Sequence, residues 1–221
     1  MITVHHLNNS RSQRILWLLE ELGLEYRIVP YARDEDMLAP LAMRAIHPLG
    51  KAPIVEDAGL TLAESGAIIE YLLDAHGDGQ LRPASGTAAR RLFTYWLHYA
   101  EGSAMPPLLL HTVFTQIENG PVPFFVRPIT RGLARGVKRR FIAPQVKLHL
   151  DHMESALAET GWFAGAELSA ADVQMSFPVQ VAAARAGLDA AYPNLMAWLS
   201  RIKARPAWQR GIERGGAYEF G

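Results

Sequence analysis

Between His76 and Thr87 the chain reads HGDGQLRPASGT, and its hydrophobic periodicity differs on the two sides of that stretch. Upstream, short alternating apolar runs are interleaved with helical ones. Downstream, apolar residues recur at three- and four-residue intervals almost throughout. A turn-rich segment at which the period changes reads as a linker, and 221 residues are enough for two small cores. The pattern predicts an α/β unit over residues 1–77, a linker over 78–87 and an all-helical unit over 88–221.

In the first unit Ile2 to Leu7 reads as a strand with Ile2, Val4 and His6 toward one side. Ile15, Leu18, Leu19 and Leu22 then fall at helical spacing. Ser10 is suited to cap that helix, Gln13 would complete a capping box, and Gly23 closes it. Tyr26 to Tyr31 is a second strand, and strand–helix–strand gives a parallel pair. Residues 34–46 read as a short irregular helix. The loop His47-Pro48-Leu49-Gly50-Lys51-Ala52-Pro53 leads into a hairpin, with strands Ile54 to Asp57 and Leu60 to Leu62 about the turn Ala58-Gly59. Glu64-Ser65 opens a helix whose apolar face carries Ile68, Ile69, Leu72 and Leu73, and Gly77 ends it.

Beyond the linker, helices are expected over 88–103 and 107–119, interrupted at Met105-Pro106-Pro107, and over most of 132–160, with Pro144 a start or a kink. Two more are expected over 173–186 and 193–205. Ser169 and Asp172 have the S-x-x-D form of a capping box. The glycine-rich tail is expected to be loosely held. Charge divides the same way: residues 1–80 carry 6 basic and 12 acidic side chains, net −6, and residues 81–221 carry 16 and 10, net +6. Two units of opposite sign attract one another. Much of the basic excess lies in Arg127, Arg131, Arg135, Lys138, Arg139 and Arg140. The first four can line one helix face, read either as a solvated face or as one that attracts anions or a membrane surface.

Several function classes are disfavoured. The formal net charge is +0, which argues against a nucleic-acid partner. There is no cysteine, so no cysteine nucleophile or disulfide is available. The start MITVHHLNNSRSQR lacks a signal pattern, and no apolar run approaches the ~18 residues of a spanning helix. A cytoplasmic protein without a membrane span is the expectation. His5-His6 and the pair His149 and His152 have no acidic or histidine cluster to complete a ligand set, so no metal is expected.

Three segments carry a resemblance to a known family: Asn9-Ser10-Arg11-Ser12-Gln13-Arg14, the loop from His47 to Val55, and Leu62-Ala63-Glu64-Ser65-Gly66-Ala67-Ile68-Ile69-Glu70-Tyr71-Leu72. Together with Ser169 to Asp172 they resemble the soluble glutathione transferases, in a serine-type-like bacterial or fungal group whose first helix reads SRSQRILWLLEELG. The resemblance implies a thioredoxin-like N-terminal domain followed by a C-terminal helical bundle. It implies an enzyme of detoxification that binds glutathione as a co-substrate thiolate and transfers it to a small hydrophobic electrophile, or uses it to reduce peroxides. It also implies a homodimer. The alternative is a transferase-like ligand-binding or scaffold protein without catalysis.

The roles implied by the resemblance fit the chemistry of the residues. A proline at the position of Pro53 is cis in the family, and Ala52 before it pairs by its backbone with the cysteinyl part of glutathione, like an added strand. Glu64 and Ser65 at a helix start suit the γ-glutamyl ammonium and carboxylate. Lys51 suits the glycyl carboxylate. A free thiol has a pKa of about 8.5, and lowering it by about two units takes about 2.7 kcal/mol. The hydroxyl of Ser10 is one candidate donor; Ser12 and Asn9 are others, and pure N-capping by Ser10 is the remaining reading. Arg11 departs from the small or proline residues often found beside that serine. Tyr99, Met105, Leu109 and Phe114 are expected to line the electrophile pocket, with core packing as the alternative. Glu101 would reach glutathione across a dimer interface.

Overall fold

The computed structural model describes residues 1–34 and 38–220. Strand β1 (Ile2–Leu7) is buried along its whole length, so Thr3, His5 and His6 are covered as fully as Ile2 and Val4. The reason is its place in the sheet, whose order is β2-β1-β3-β4. β1 lies parallel to β2 (Tyr26–Tyr31), with Ile2 opposite Tyr26 and Leu7 opposite Tyr31. It lies antiparallel to β3 (Ile54–Asp57), which pairs in turn with β4 (Leu60–Ala63). Pro30 is tolerated because β2 is an edge strand and that position needs no N–H for an outer neighbour. Ala58 and Gly59 both take positive φ, 48° and 82°, as a two-residue hairpin turn of this twist requires.

Helix α1 (Ser12–Glu21) and helix α2 (Ser65–His76) pack on the sheet. Gly23 takes φ 65° just beyond α1, as its position predicts. The capping box at Ser10 does not form. Arg11 is the N-cap residue, and Gln13 turns instead to donate its Nε2 hydrogen to the Gly211 carbonyl at 2.8 Å. A partner from the far end of the chain outcompetes the local bond. The helix expected over 34–46 reduces to a 3₁₀ turn at Leu41–Ala45, and residues 35–37 lie outside those described.

After residues 77–87 the chain is helical: α3 (Ala88–Tyr99), α4 (Met105–Asn119), α5 (Arg127–Val137), α6 (Ala143–Thr160), α7 (Ala170–Arg185), α8 (Pro193–Lys203) and α9 (Pro206–Gly215). The expected interruption near Pro106-Pro107 is a π-helical turn at Ala100–Ala104, and a second π turn at Lys138–Ile142 precedes Pro144. In each, the amide after the turn reaches five residues back, Met105 to the Ala100 carbonyl and Ala143 to the Lys138 carbonyl. A proline ring clashes with the carbonyl four residues before it, and a wider turn relieves that clash without breaking the helix.

The tail is the main departure from expectation. α9 packs along α1, with Trp208 edge-on to Trp17 at 5.1 Å and both rings buried. Arg205 donates to both carboxylate oxygens of Glu21 at 2.5 and 2.8 Å, and Arg210 and Arg214 both pair with Glu20. The attraction between an acidic first half and a basic second half is realised here, within one chain. Beyond α9, Phe220 is buried against Phe177 and the Tyr218 hydroxyl donates to Gln180 Oε1. The Ser169–Asp172 capping box forms as its pattern predicts, and the fully buried Asp172 also accepts from Phe163 N and Trp198 Nε1.

Candidate functional site

The strand register brings three distant loops to one end of the sheet. His5 pairs with Ile54, and Ile54 with Ala63, so the exit of β1, the entry of β3 and the exit of β4 lie side by side. Ser10 follows the first, Ala52 and Pro53 precede the second, and Glu64 and Ser65 follow the third. The Ala52–Pro53 peptide is cis. Two adjoining cavities open there. One, of about 280 Å³, is lined by Leu7, Ser10, Arg44 and Phe177 among others. The other, of about 310 Å³, is lined by Pro53, Glu64, Ser65 and Glu101 among others. Arg11, Leu49, Lys51 and Ala52 belong to both, which makes one continuous trough.

At the second cavity the chain enters α2 through Glu64, a non-glycine residue at φ 70°. That conformation costs about 1–3 kcal/mol and points to a site that the surroundings hold in place. Ser65 is 2% exposed, and its Oγ accepts a hydrogen bond from Arg14 Nη2 at 2.5 Å. Arg14, itself 1% exposed, donates from Nη1 to the Gln174 carbonyl at 2.6 Å and from Nη2 to Glu101. The serine hydroxyl hydrogen is thus left free to point outward. Together with the unbonded amides of the first turn it can donate to a carboxylate.

Electrostatics at this end of the trough are set by Glu101. Arg11 Nε donates to both of its oxygens at 2.9 Å. Burial works against ionisation of Glu101, but Arg14 and Arg11 outweigh it and hold the carboxyl below its ordinary value. Burial lowers the Arg14 guanidinium from its usual range while Glu101 raises it; a guanidinium stays charged at neutral pH regardless. Both arginines also lie near the Phe177 ring, at 5.0 and 5.7 Å from its centroid. Glu101 therefore reaches this site from its own chain, through a π turn, rather than only across a partner. Lys51 and Arg44 make no ion pair among the described residues, so both are available to an anion.

The three candidate thiol donors are placed differently. Ser10 lines the first cavity and donates to the Leu7 carbonyl at 2.7 Å. Its Oγ also accepts from the Ser12 amide at 3.2 Å. Ser12 is fully buried, with its hydroxyl between Ser10 Oγ and His6 Nδ1, 2.8 Å from each. Burial lowers the His6 pKa, against a smaller opposing effect of the Gly215 backbone, and so favours the neutral ring. Asn9, at φ 49°, faces the tail: its Nδ2 donates to Glu219 Oε1 at 3.0 Å and its Oδ1 accepts from Glu219 N at 2.9 Å.

None of the four residues expected at the electrophile pocket lines either cavity. Tyr99 is buried in an aromatic cluster with its hydroxyl bonded to His149 Nδ1. Met105 lies in the core, Phe114 packs half-buried against it, and Leu109 is exposed. The apolar wall beside Ser10 comes instead from Leu7 and from Phe177 on α7. Sequence reasoning missed Arg14, Phe177 and Arg44. Only Arg14 carried a signal, being a charged residue within the otherwise apolar face of α1.

Comparison with known proteins gives a consistent result. Residues 1–74 match the family described as Glutathione S-transferase, N-terminal domain, and residues 143–206 match Glutathione S-transferase, C-terminal domain. Glutathione S-transferase 3 of Schizosaccharomyces pombe is 37% identical over 97% of this chain and 88% of its own. A glutathione S-transferase from Actinobacillus pleuropneumoniae has a solved structure that superposes with a TM-score of 0.79, at 34% identity over 99% of this chain and 94% of that one. A sphingomonad glutathione S-transferase solved in complex with glutathione shares the fold, with a TM-score of 0.74 at 24% identity over 97% and 98% of the two chains.

Proposed function

Because the chain belongs to the glutathione S-transferase family, we propose that it binds glutathione along the trough from Glu64 to Ser10 and transfers its thiolate to a small hydrophobic electrophile. The observation that carries this reading is the buried Arg14, which fixes the Ser65 hydroxyl at the opening of α2 on one side of the trough while Ser10 lines the other. The relative solved with glutathione bound supports the choice of ligand.

In this reading Ser65 and the first-turn amides of α2 bind the γ-glutamyl carboxylate, and Glu64 meets the ammonium. Ala52, whose backbone makes no hydrogen bond among the described residues, pairs with the cysteinyl backbone beside Pro53. Lys51 takes the glycyl carboxylate. The sulfur then lies toward Ser10, and Ser10 is the thiol donor we favour: it is the member of the Asn9, Ser10 and Ser12 set that lines the cavity. Turning its hydroxyl from the Leu7 carbonyl to the sulfur stabilises the thiolate, and the thiol proton leaves to solvent. The thiolate attacks the electrophilic carbon, a sulfur–carbon bond forms, and the leaving group departs with its electron pair. Leu7 and Phe177 are the apolar wall against which we place the electrophile.

We assign residues 1–77 to the glutathione-binding domain, 78–87 to the linker and 88–221 to the helical domain. A cytoplasmic homodimer active in detoxification completes the proposal; among the described residues no helix is long and apolar enough to cross a membrane. Sedimentation as a monomer at micromolar concentration would remove the dimer from it. The central test is calorimetric titration with glutathione while thiolate absorbance near ~240 nm is followed against pH, for the wild type, Ser65→Ala and Ser10→Ala. Ser65→Ala is expected to weaken binding about tenfold or more, and Ser10→Ala to raise the bound thiol pKa with little change in affinity. Binding without thiolate would favour a ligand carrier, and no binding would defeat the proposal.

A further inference from the structure

The end of β1 and the start of α1 bring three side chains into one buried line that begins at the trough. Ser10 lines the trough, Ser12 behind it is fully buried, and His6 behind Ser12 is 4% exposed. Ser10 Oγ lies 2.7 Å from the Leu7 carbonyl, Ser12 Oγ 2.8 Å from Ser10 Oγ, and His6 Nδ1 2.8 Å from Ser12 Oγ. The ring also bonds the backbone of Gly215, the last residue of α9. Gly215 is pressed so close to α1 that a Cβ there would collide with Gln13.

Nδ1 is taken by Ser12, so Nε2 is the nitrogen that donates to the Gly215 carbonyl, a contact that favours a proton on the ring. A proton on Nε2 leaves Nδ1 of the neutral ring a bare acceptor. The three contacts of the line then share only the two hydroxyl hydrogens of Ser10 and Ser12. The line is one proton short of a hydrogen at every link. Burial favours the neutral ring, so Nδ1 is bare before a ligand arrives.

We propose that His6 is the proton acceptor for a thiol bound at Ser10, reached through the hydroxyls of Ser10 and Ser12. This relay rests on glutathione occupying the trough with its sulfur toward Ser10, as proposed above. The hydrogen of the thiol passes to Ser10 Oγ, that of Ser10 to Ser12 Oγ, and that of Ser12 to His6 Nδ1. The S–H bond breaks with its electron pair left on sulfur, and the lone pair of Nδ1 forms the new N–H bond. Each hydrogen moves by one link, and every link holds one before and after. At the end Nδ1 donates to Ser12, Ser12 to Ser10 and Ser10 to the thiolate, which is the direction that stabilises the anion. Once the conjugate has left, the ring sheds its proton to solvent by the same route. His6 touches no reacting atom and acts through the serines, as a positioning residue.

The charged side chains around β1 are engaged elsewhere. Arg27 on β2 reaches Thr3, and Glu56 and Asp57 on β3 hold His5 and His76. On α1, Arg14 is held by Ser65 and Glu101, and Glu20 and Glu21 by Arg205, Arg210 and Arg214. Glu213 of α9 is exposed. The thiolate is therefore the charge that the buried imidazolium answers, and the two titrate as a pair.

The test is nitrogen NMR of the full-length protein with isotopically labelled histidine at about pH 7, without ligand, with glutathione and with S-methylglutathione. Calorimetry and thiolate absorbance are measured on the same samples. The His6 ring should pass from the neutral Nε2–H form to the imidazolium with glutathione. It should stay neutral with S-methylglutathione, which has no thiol proton to give. His6→Asn keeps an acceptor for the Ser12 hydroxyl but cannot hold a proton, and Ser12→Ala cuts the line in the middle. Each should still bind glutathione, with the pKa of the bound thiol raised by about one unit, or about tenfold less thiolate at neutral pH. A purely structural role would leave that titration unchanged in a folded His6→Asn protein. Should His6→Asn not fold, the ring state of the wild type and the titration of Ser12→Ala decide. A ring that stays neutral while thiolate is bound, one that is charged with both ligands, or variants that titrate like the wild type would overturn the relay and leave the glutathione reading standing. Absence of glutathione binding, or binding without thiolate, would defeat that reading and the relay with it.

Discussion

Arg14 Nη2 donates to Ser65 Oγ across 51 positions of sequence at 2.5 Å, and so the first helix fixes the hydroxyl at the start of the second. The same guanidinium holds Glu101 and the Gln174 carbonyl, which tie the helical domain to this point. One buried cation thereby sets the mutual position of α1, α2, α7 and the π turn. Positioning by a planar group with several donors is specific to arginine.

Arg14→Lys should therefore fail as a conservative change. An ammonium cannot satisfy Ser65, Gln174 and Glu101 together in this geometry, and the loss leaves buried acceptors unpaired. Glutathione affinity is expected to fall about tenfold and stability by about 2–4 kcal/mol. Urea unfolding and calorimetric titration of the same preparation measure both, and a Lys variant with wild-type affinity would show that Ser65 needs no such positioning.

Glu101 gives a pH signature. Its folded pKa lies below the ordinary value, because Arg14 and Arg11 outweigh burial. A depressed acid contributes stability that is present above its unfolded pKa, about 4.3, and is lost as pH falls through the folded value. The unfolding free energy of the wild type should drop between about pH 5 and the acid limit more than that of Glu101→Gln. Parallel curves for the two proteins would contradict the assignment.

Asn9 and Ser10 are neighbours with separable roles. Asn9 holds the tail through two hydrogen bonds with Glu219, so Asn9→Ala is expected to cost about 1 kcal/mol of stability and to leave the pKa of bound glutathione unchanged. Spectroscopic titration of the thiolate decides the matter: a rise in that pKa for Asn9→Ala would make it the thiol donor instead.

The Asp172 carboxylate is fully buried, and its pKa is raised by burial against opposing hydrogen bonds from Phe163, Ser169 and Trp198. Asp172→Ala leaves those donors unpaired and should destabilise the chain by about 3 kcal/mol or more. Chemical denaturation measures this directly, and a loss under 1 kcal/mol would mean the box caps the helix without organising the core around it.

Local chemistry made much of this protein readable in one dimension. The strands β1 to β3, the Ala58-Gly59 turn, the Gly23 and Gly77 helix ends and the Ser169–Asp172 cap depend on residues within a few positions of one another. Their preferences survive whatever packs on top. The resemblance in the loop from His47 and in Glu64-Ser65 likewise located the loops that meet at the trough. Two of the departures share one cause. Gln13 left its cap for a carbonyl at Gly211, and the tail gained order from Trp17, Glu20 and Glu21, each partner roughly two hundred positions away.

Periodicity and capping patterns determined which segments are strand and helix, and the motif loops picked out the segments that line the trough, because those signals are local. Which hydroxyl faces the cavity, which arginine is buried and which cations remain unpaired were decided only by the tertiary structure. Long side chains choose among partners that sequence separation hides. The energy of that choice comes from burial and charge neutralisation, which exist only once the two domains have closed on each other.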